Sequence, residues 1–127
     1  MASSRESLAE FQAHRRKGMD RLLSVDHLGV KRYLALDSAA YRPGALDTRT
    51  KELLGLVASA VLRCDACVTY HLETAVDEGW SDDEIVDALN VALVVGGTIT
   101  IPHIRDAMLR LDEIRADRAQ KNAPKHA

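Results

Sequence analysis

Apolar residues recur along most of this chain at helical spacing, and the polar residues between them supply helix starts and stops. Leu8, Phe11, Arg15, Met19 and Leu22 fall on one stripe, with charges elsewhere, which predicts an amphipathic helix. Ser3 with Glu6 three residues on matches a capping box for its start. Asp26 is placed to cap a second, shorter helix carrying Val30, Tyr33 and Leu34, which should end before the turn signal Arg42-Pro43-Gly44. Asp47 or Thr48 then caps a third helix that begins around Arg49. From Leu53 to Leu62 this helix is apolar almost all round, the mark of an element covered on every side. A helical stretch containing both cysteines follows and reaches Glu78, with Gly79 suited to the position just past a helix end. Periodicity does not decide whether the helix runs on through Arg63 or restarts near Cys64. Ser81-Asp82-Asp83-Glu84 is a second capping box, and the helix it opens, Ile85 to Val95, is again apolar nearly all round. Gly96-Gly97 and Pro102 interrupt it. Thr98-Ile99-Thr100-Ile101 alternates like a strand but has no partner strand, so it reads as part of a helix–helix junction. Ile104, Ala107, Met108, Leu111 and Ile114 give a stripe on the last helix, and residues 121–127 form a polar, frayed end.

The expected class is therefore all-α: a single-domain bundle of about six helices over residues 1–127. Two nearly all-apolar helices are a great deal to cover in so short a chain. One core hides one of them, and the second calls for a partner surface, so a homo-oligomer is expected. A compact monomer with both helices central is the alternative.

Composition narrows the picture without naming a function. Hydrophobic residues make up 46% of the chain and charged residues 28%, an ordinary globular balance. Seventeen basic residues against 19 acidic ones give a formal charge of −2, which offers no footprint for nucleic acid. The opening MASSRESLAEF lacks the apolar run of a signal peptide, and no segment has the length of a membrane span, so no membrane partner is expected. Two cysteines cannot build a disulfide framework, and a reducing cytoplasm is the expected location.

In that setting the stretch RCDACVTYHLE carries the candidate chemistry. On a helix each residue advances about 100°, so Cys64, Cys67 and His71 share one face. Twelve residues before Cys64 stands Glu52, and in an unbroken helix it would lie about 60° round from Cys67. A thiol attacks as the thiolate, a neighbouring histidine can take its proton, and a carboxylate can orient that histidine. A second cysteine one turn away can resolve the oxidised first one as an internal disulfide. Zinc is the competing use of these residues, but Cys64, Cys67 and His71 supply at most three ligands, with His103 the only conceivable fourth. A thioredoxin-like domain is disfavoured because nothing reads as a βαβ unit. Taken singly, each residue has a plainer reading: packed thiols, a structural histidine, a first-turn glutamate. Trp80 reads as a hydrophobic staple, His103 as a helix-start residue, and Tyr41 and Tyr70 as packed tyrosines with one polar end at the surface. Nothing singles out His14, His27 or His126.

Glu52, eleven residues, Cys64-x-x-Cys67, three residues, His71, followed by ETAVDEGWSDDEIVDALNVALVVGG, resembles the alkylhydroperoxidase D-like group of the carboxymuconolactone decarboxylase superfamily. The likeness covers about residues 45 to 111, and a family-like core is expected over about 26–114, with 1–25 as an added N-terminal helix. The resemblance implies an all-helical fold assembled as trimers or hexamers. It also implies a thiol-dependent peroxidase or disulfide reductase working without flavin, haem or metal. Its substrate would be a peroxide or disulfide, and an external dithiol (lipoyl-like, glutathione or other) would supply electrons. Carried over residue by residue, Cys64 and Cys67 match the redox pair, His71 the relay histidine and Glu52 the relay carboxylate. Cys67 is favoured as the attacking thiol, being one turn from His71 and nearer Glu52 on an unbroken helix, with Cys64 resolving. One departure stands out: hydroperoxidase D enzymes carry a histidine just before the second cysteine, and this chain has Ala66 there, which bears on the peroxide rate more than on the dithiol chemistry. Two other functions compete. One is a cofactor-free decarboxylase or lactone-handling enzyme, which needs a proton donor and an anion pocket but no thiols. The other is a non-enzymatic helical subunit that senses redox state.

Overall fold

The computed structural model describes residues 6–123. Among them are six α-helices and no strand: α1 (Leu8–Leu23), α2 (Leu28–Ala40), α3 (Thr48–Val61), α4 (Asp65–Asp77), α5 (Asp82–Gly96) and α6 (Ile101–Lys121), with a 3-10 turn, Thr98–Thr100, before α6. The expected all-helical class holds, and the alternating Thr98–Ile101 segment is that turn at the junction. The chain divides into two compact units, Met1–Arg42 and Pro43–Ala127.

In the first unit, α1 is capped by Ser7, four residues later than expected. Its Oγ accepts from the Glu10 N–H, and Glu10 Oε1 accepts from the Ser7 N–H, both at 3.1 Å. The same Ser-x-x-Glu spacing occurs twice, and the copy directly before Leu8 closes the helix; Ser3 lies outside the described residues. Leu8 and Phe11 are buried, whereas Leu22 at the far end of the stripe is exposed. The cap of α2 is His27, not Asp26: His27 Nδ1 accepts from the Val30 N–H at 3.2 Å, while Asp26 forms an ion pair with Lys31. No residue of α2 is buried, and Tyr33 and Leu36 stand in the open.

The second unit is a four-helix arrangement in which α3 packs on α4 and α5, and α4 packs on α6. Its core is Leu56 and Ala60 of α3, Val68, Leu72, Ala75 and Val76 of α4, Ile85, Leu89 and Ala92 of α5, and Ala107, Leu111 and Ile114 of α6. Asp47 caps α3, accepting from the Thr50 N–H at 2.8 Å, and Thr50 holds the Asp47 carboxyl below its ordinary range. Ser81 and Glu84 form the expected capping box of α5, and the Ser81 N–H keeps the Glu84 carboxyl similarly low. The apolar helices are not covered all round. Each has one packed stripe and one open side, with Leu54 of α3, Leu62 just past its end, and Val86, Val91, Val94 and Val95 of α5 exposed. No helix among the described residues is long and apolar enough to cross a membrane.

Two helix ends share one device, and they set the direction of the chain on either side of α4. After α4, the Trp80 N–H reaches Ala75 O and the Gly79 N–H reaches Val76 O, with Gly79 at φ 88°. That is a Schellman motif with glycine where a left-handed residue is required. After α3, the Cys64 N–H reaches Ser59 O and the Arg63 N–H reaches Ala60 O, with Arg63 at φ 60°. Here an arginine holds the strained position, and the chain turns directly into α4. The two helices are therefore separate, broken at Arg63.

Ion pairs pin the far ends. Arg118 of α6 binds Asp77 and Glu73 of α4, and Arg115 binds Asp82 and the Trp80 carbonyl at the start of α5. Trp80 lies under the Arg49 guanidinium, 3.4 Å from the ring centroid, and its indole N–H donates to Arg49 O at 2.8 Å. The tryptophan thus ties the α4–α5 turn to the start of α3.

Two substitutions test this account. A Cβ on Gly96 would stand 2.4 Å from Thr100 Cγ2, and Thr100 is fully buried with its hydroxyl donating to Gly97 O. Gly96→Ala is expected to destabilise by about 1–3 kcal/mol in denaturant unfolding, despite the better helix propensity of alanine. Arg63→Gly is expected to stabilise by about 0.5–1 kcal/mol with an unchanged denaturant slope, because glycine adopts the left-handed conformation without the Cβ penalty.

Candidate active site

All four residues singled out from the sequence lie in the second unit, and the break at Arg63 does not separate them. Cys64 sits in extended conformation as the N-cap of α4, where its Sγ accepts from the Cys67 N–H at 3.3 Å. Its own N–H closes α3, so one residue ends one helix and begins the next. Cys64 and Cys67 are joined in a disulfide, with Cα atoms 5.2 Å apart. Cys67 is exposed and Cys64 half-buried.

Behind the disulfide, one turn further along α4, His71 is buried at 8% exposure. Its Nδ1 lies 2.9 Å from Oε2 of Glu52, itself buried at 6%. A carboxylate only accepts, so the imidazole carries its proton on Nδ1 in this contact. Thr74 Oγ1 donates to the same Oε2 at 2.7 Å and lies 3.0 Å from the His71 carbonyl oxygen. Thus Glu52 reaches across from α3 and takes two donors from successive turns of α4. The Tyr70 ring stands edge-on to the His71 ring, with centroids 5.2 Å apart. This arrangement can hold an imidazole in one tautomer and one orientation beside a dithiol, and Glu52 can stabilise it when it gains a proton.

Glu52 reaches the site by a different route from the one periodicity suggested. On a continuous helix it would approach Cys67 by rotation about one axis. With the helix broken, α3 packs beside α4 and delivers the carboxylate sideways to His71. Sequence reasoning missed Thr74, whose signal was its place one turn after His71. It also gave no partner to His103. That residue sits in the first turn of α6, as expected of a helix-start residue, and its Nδ1 lies 2.8 Å from Oδ1 of Asp65, the first residue of α4. The residues considered for zinc are thus engaged otherwise: the cysteines with each other, and the histidines each with a carboxylate. Among the described residues no cluster of three or more His, Cys, Asp or Glu is placed to hold a metal ion.

Comparison with known proteins places the chain in a family. Residues 29–110 match the model of the carboxymuconolactone decarboxylase family. A crystal structure of a protein of that family from Thermotoga maritima, for which a part in an antioxidative response has been suggested, is 54% identical. It superposes with a TM-score of 0.81 over 89% of this chain and 94% of its own. A family member from Legionella pneumophila is 26% identical, with a TM-score of 0.64 over 84% of this chain and 89% of its own. Among curated relatives, uncharacterized protein 4 in the cox locus of Paracoccus denitrificans is 34% identical over 82 residues, 65% of this chain and 74% of that protein. An uncharacterized protein of Haemophilus influenzae is 33% identical over 66 residues, 52% of this chain and 58% of that protein. The chain belongs to the carboxymuconolactone decarboxylase family.

Proposed function

We propose that this protein is a thiol-dependent oxidoreductase that reduces a peroxide or a disulfide through a Cys64–Cys67 cycle. The observation that carries the reading is the buried Glu52–His71 pair, with His71 one turn from Cys67 on α4. The family includes alkylhydroperoxidase-like enzymes as well as decarboxylases, and the antioxidative part suggested for the Thermotoga maritima relative agrees with the redox branch. A decarboxylase needs no dithiol.

In the cycle Cys67 attacks, because it is the more exposed of the two cysteines and lies one turn before His71. Its nearness to Glu52 along an unbroken helix no longer supports this order, since the helix breaks at Arg63. As thiolate, Cys67 attacks one peroxide oxygen; the S–O bond forms while the O–O bond breaks. The departing alkoxide or hydroxide takes the proton that His71 collected from the thiol, passed through Nε2 while Nδ1 stays on Glu52. Cys64, deprotonated in turn, attacks the Cys67 sulfenic acid; the S–S bond forms and hydroxide leaves, becoming water with the second proton. The two electrons given to the peroxide come from the two thiols. An external dithiol restores them by exchange and is itself left as a disulfide. With a disulfide substrate, the same pair opens it through a mixed disulfide on Cys67.

The active form is proposed to be a homo-oligomer, a trimer or hexamer. The open apolar face of α5 supports this, with Val94 77% exposed and Val91 and Val95 beside it on the same helix.

Reduced protein should lose both free thiols on stoichiometric peroxide, with an internal disulfide visible by mass spectrometry. Cys67→Ser should abolish turnover, and Cys64→Ser should trap sulfenic acid on Cys67. Thiols that survive peroxide in folded protein, or lactone-acid turnover retained with both cysteines replaced by alanine, would overturn the reading. Glu52→Gln should slow turnover by about 10²-fold, the usual worth of a positioned proton-transfer group. Sedimentation should show a trimer or hexamer that Val94→Glu dissociates; a monomer at working concentration would refute the assembly.

A further inference from the structure

The site contains a second carboxylate–imidazole pair that the cycle above leaves unused. Asp65 stands between the two cysteines, and its Oδ1 lies 2.8 Å from His103 Nδ1, delivered from α6. The side chain of Asp65 is 50% exposed and that of His103 25%, so burial does not demand this contact as it does for Glu52 and His71. Asp65 suits the positive end of α4. It is also the wrong charge for its neighbours. A carboxylate next to Cys64 and two residues from Cys67 opposes any ionisation of either sulfur.

We propose that His103 is a positioning residue for the dithiol: by binding Asp65 it holds the carboxylate on α6 and shares its charge, which eases thiolate formation at Cys64 and Cys67. The inference rests on the dithiol reading above. His103 acts through Asp65 and not on the sulfur itself, so its effect disappears when Asp65 carries no charge. A merely structural hydrogen bond behaves differently, since losing either partner then disturbs the site in the same direction.

The test is the alkylation rate of fully reduced, full-length protein with iodoacetamide near neutral pH at low salt. Asp65→Asn is expected to react about 3- to 10-fold faster than wild type, the size of effect of removing one neighbouring like charge, and His103→Ala slower by a similar factor. The double variant should react like Asp65→Asn alone. His103→Gln, which keeps an amide donor for Asp65, should recover part of the loss, and high salt should compress all the differences. Two single variants moving the same way, or His103→Ala slowing the reaction equally when Asp65 is already Asn, would overturn the proposal. If His103→Ala does not fold, the Asp65→Asn background with and without His103→Gln decides: a rate that still falls with the added change refutes it. Peroxide consumption by wild type is measured alongside. Rates that split as expected in a protein that consumes no peroxide would leave this inference standing and remove the peroxidase reading; turnover without the split would do the reverse.

Discussion

A buried carboxylate on a buried imidazole is the contact on which the second unit is organised. Glu52 is taken out of water, and the two groups that bind its Oε2 among the described residues, His71 and Thr74, both belong to α4. Stripping water from a carboxylate costs several kcal/mol, and the cost is met only when the partners are in place. The contact therefore penalises any sliding or rotation of α3 against α4 more sharply than the surrounding leucines do, because a hydrophobic side chain tolerates a small shift and an unpaired buried charge does not. The same contact divides the labour at the site. The distance from imidazole to sulfur follows from α4 alone, since Cys67 and His71 are one turn apart on it. The orientation and tautomer of the imidazole follow from α3.

Much of this was legible in the residues, and the failures have physical causes. The helices and the caps at Asp47 and Ser81 follow from side-chain chemistry acting within three or four residues. Capping failed where two neighbours competed: Ser3 and Ser7 offer the same motif, and His27 displaced Asp26 because an imidazole nitrogen accepts an N–H as well and Lys31 claimed the aspartate. The break at Arg63 was not readable, since a left-handed arginine has no signature; a glycine there would have announced the end of α3. The candidate group of Glu52, Cys64, Cys67 and His71 could be named from helical spacing together with the family resemblance. Its geometry could not, because Glu52 arrives by tertiary packing. Thr74 was within reach of the same periodic argument. The contact of His103 with Asp65 was beyond it, since residues 38 apart on different helices share no period.

The near-complete apolarity of α3 and α5 leads to an expectation of cover on every side, and among the described residues each helix is packed along one stripe. The inner stripes, Leu56 and Ala60 in one case and Ile85, Leu89 and Ala92 in the other, are packed to near-zero exposure. The outer residues are valines and leucines all the same. A sequence reports how oily a helix is; it does not report which of its sides the fold packs.

Cys64 ends α3 through its backbone and opens α4 through its sulfur, so one atom answers both to folding and to chemistry. Serine is a stronger acceptor at such a position and nearly the same size. A chain with serine there would keep the cap and lose the disulfide with Cys67. Capping alone therefore does not account for a cysteine at this corner, whereas the proposed dithiol cycle does.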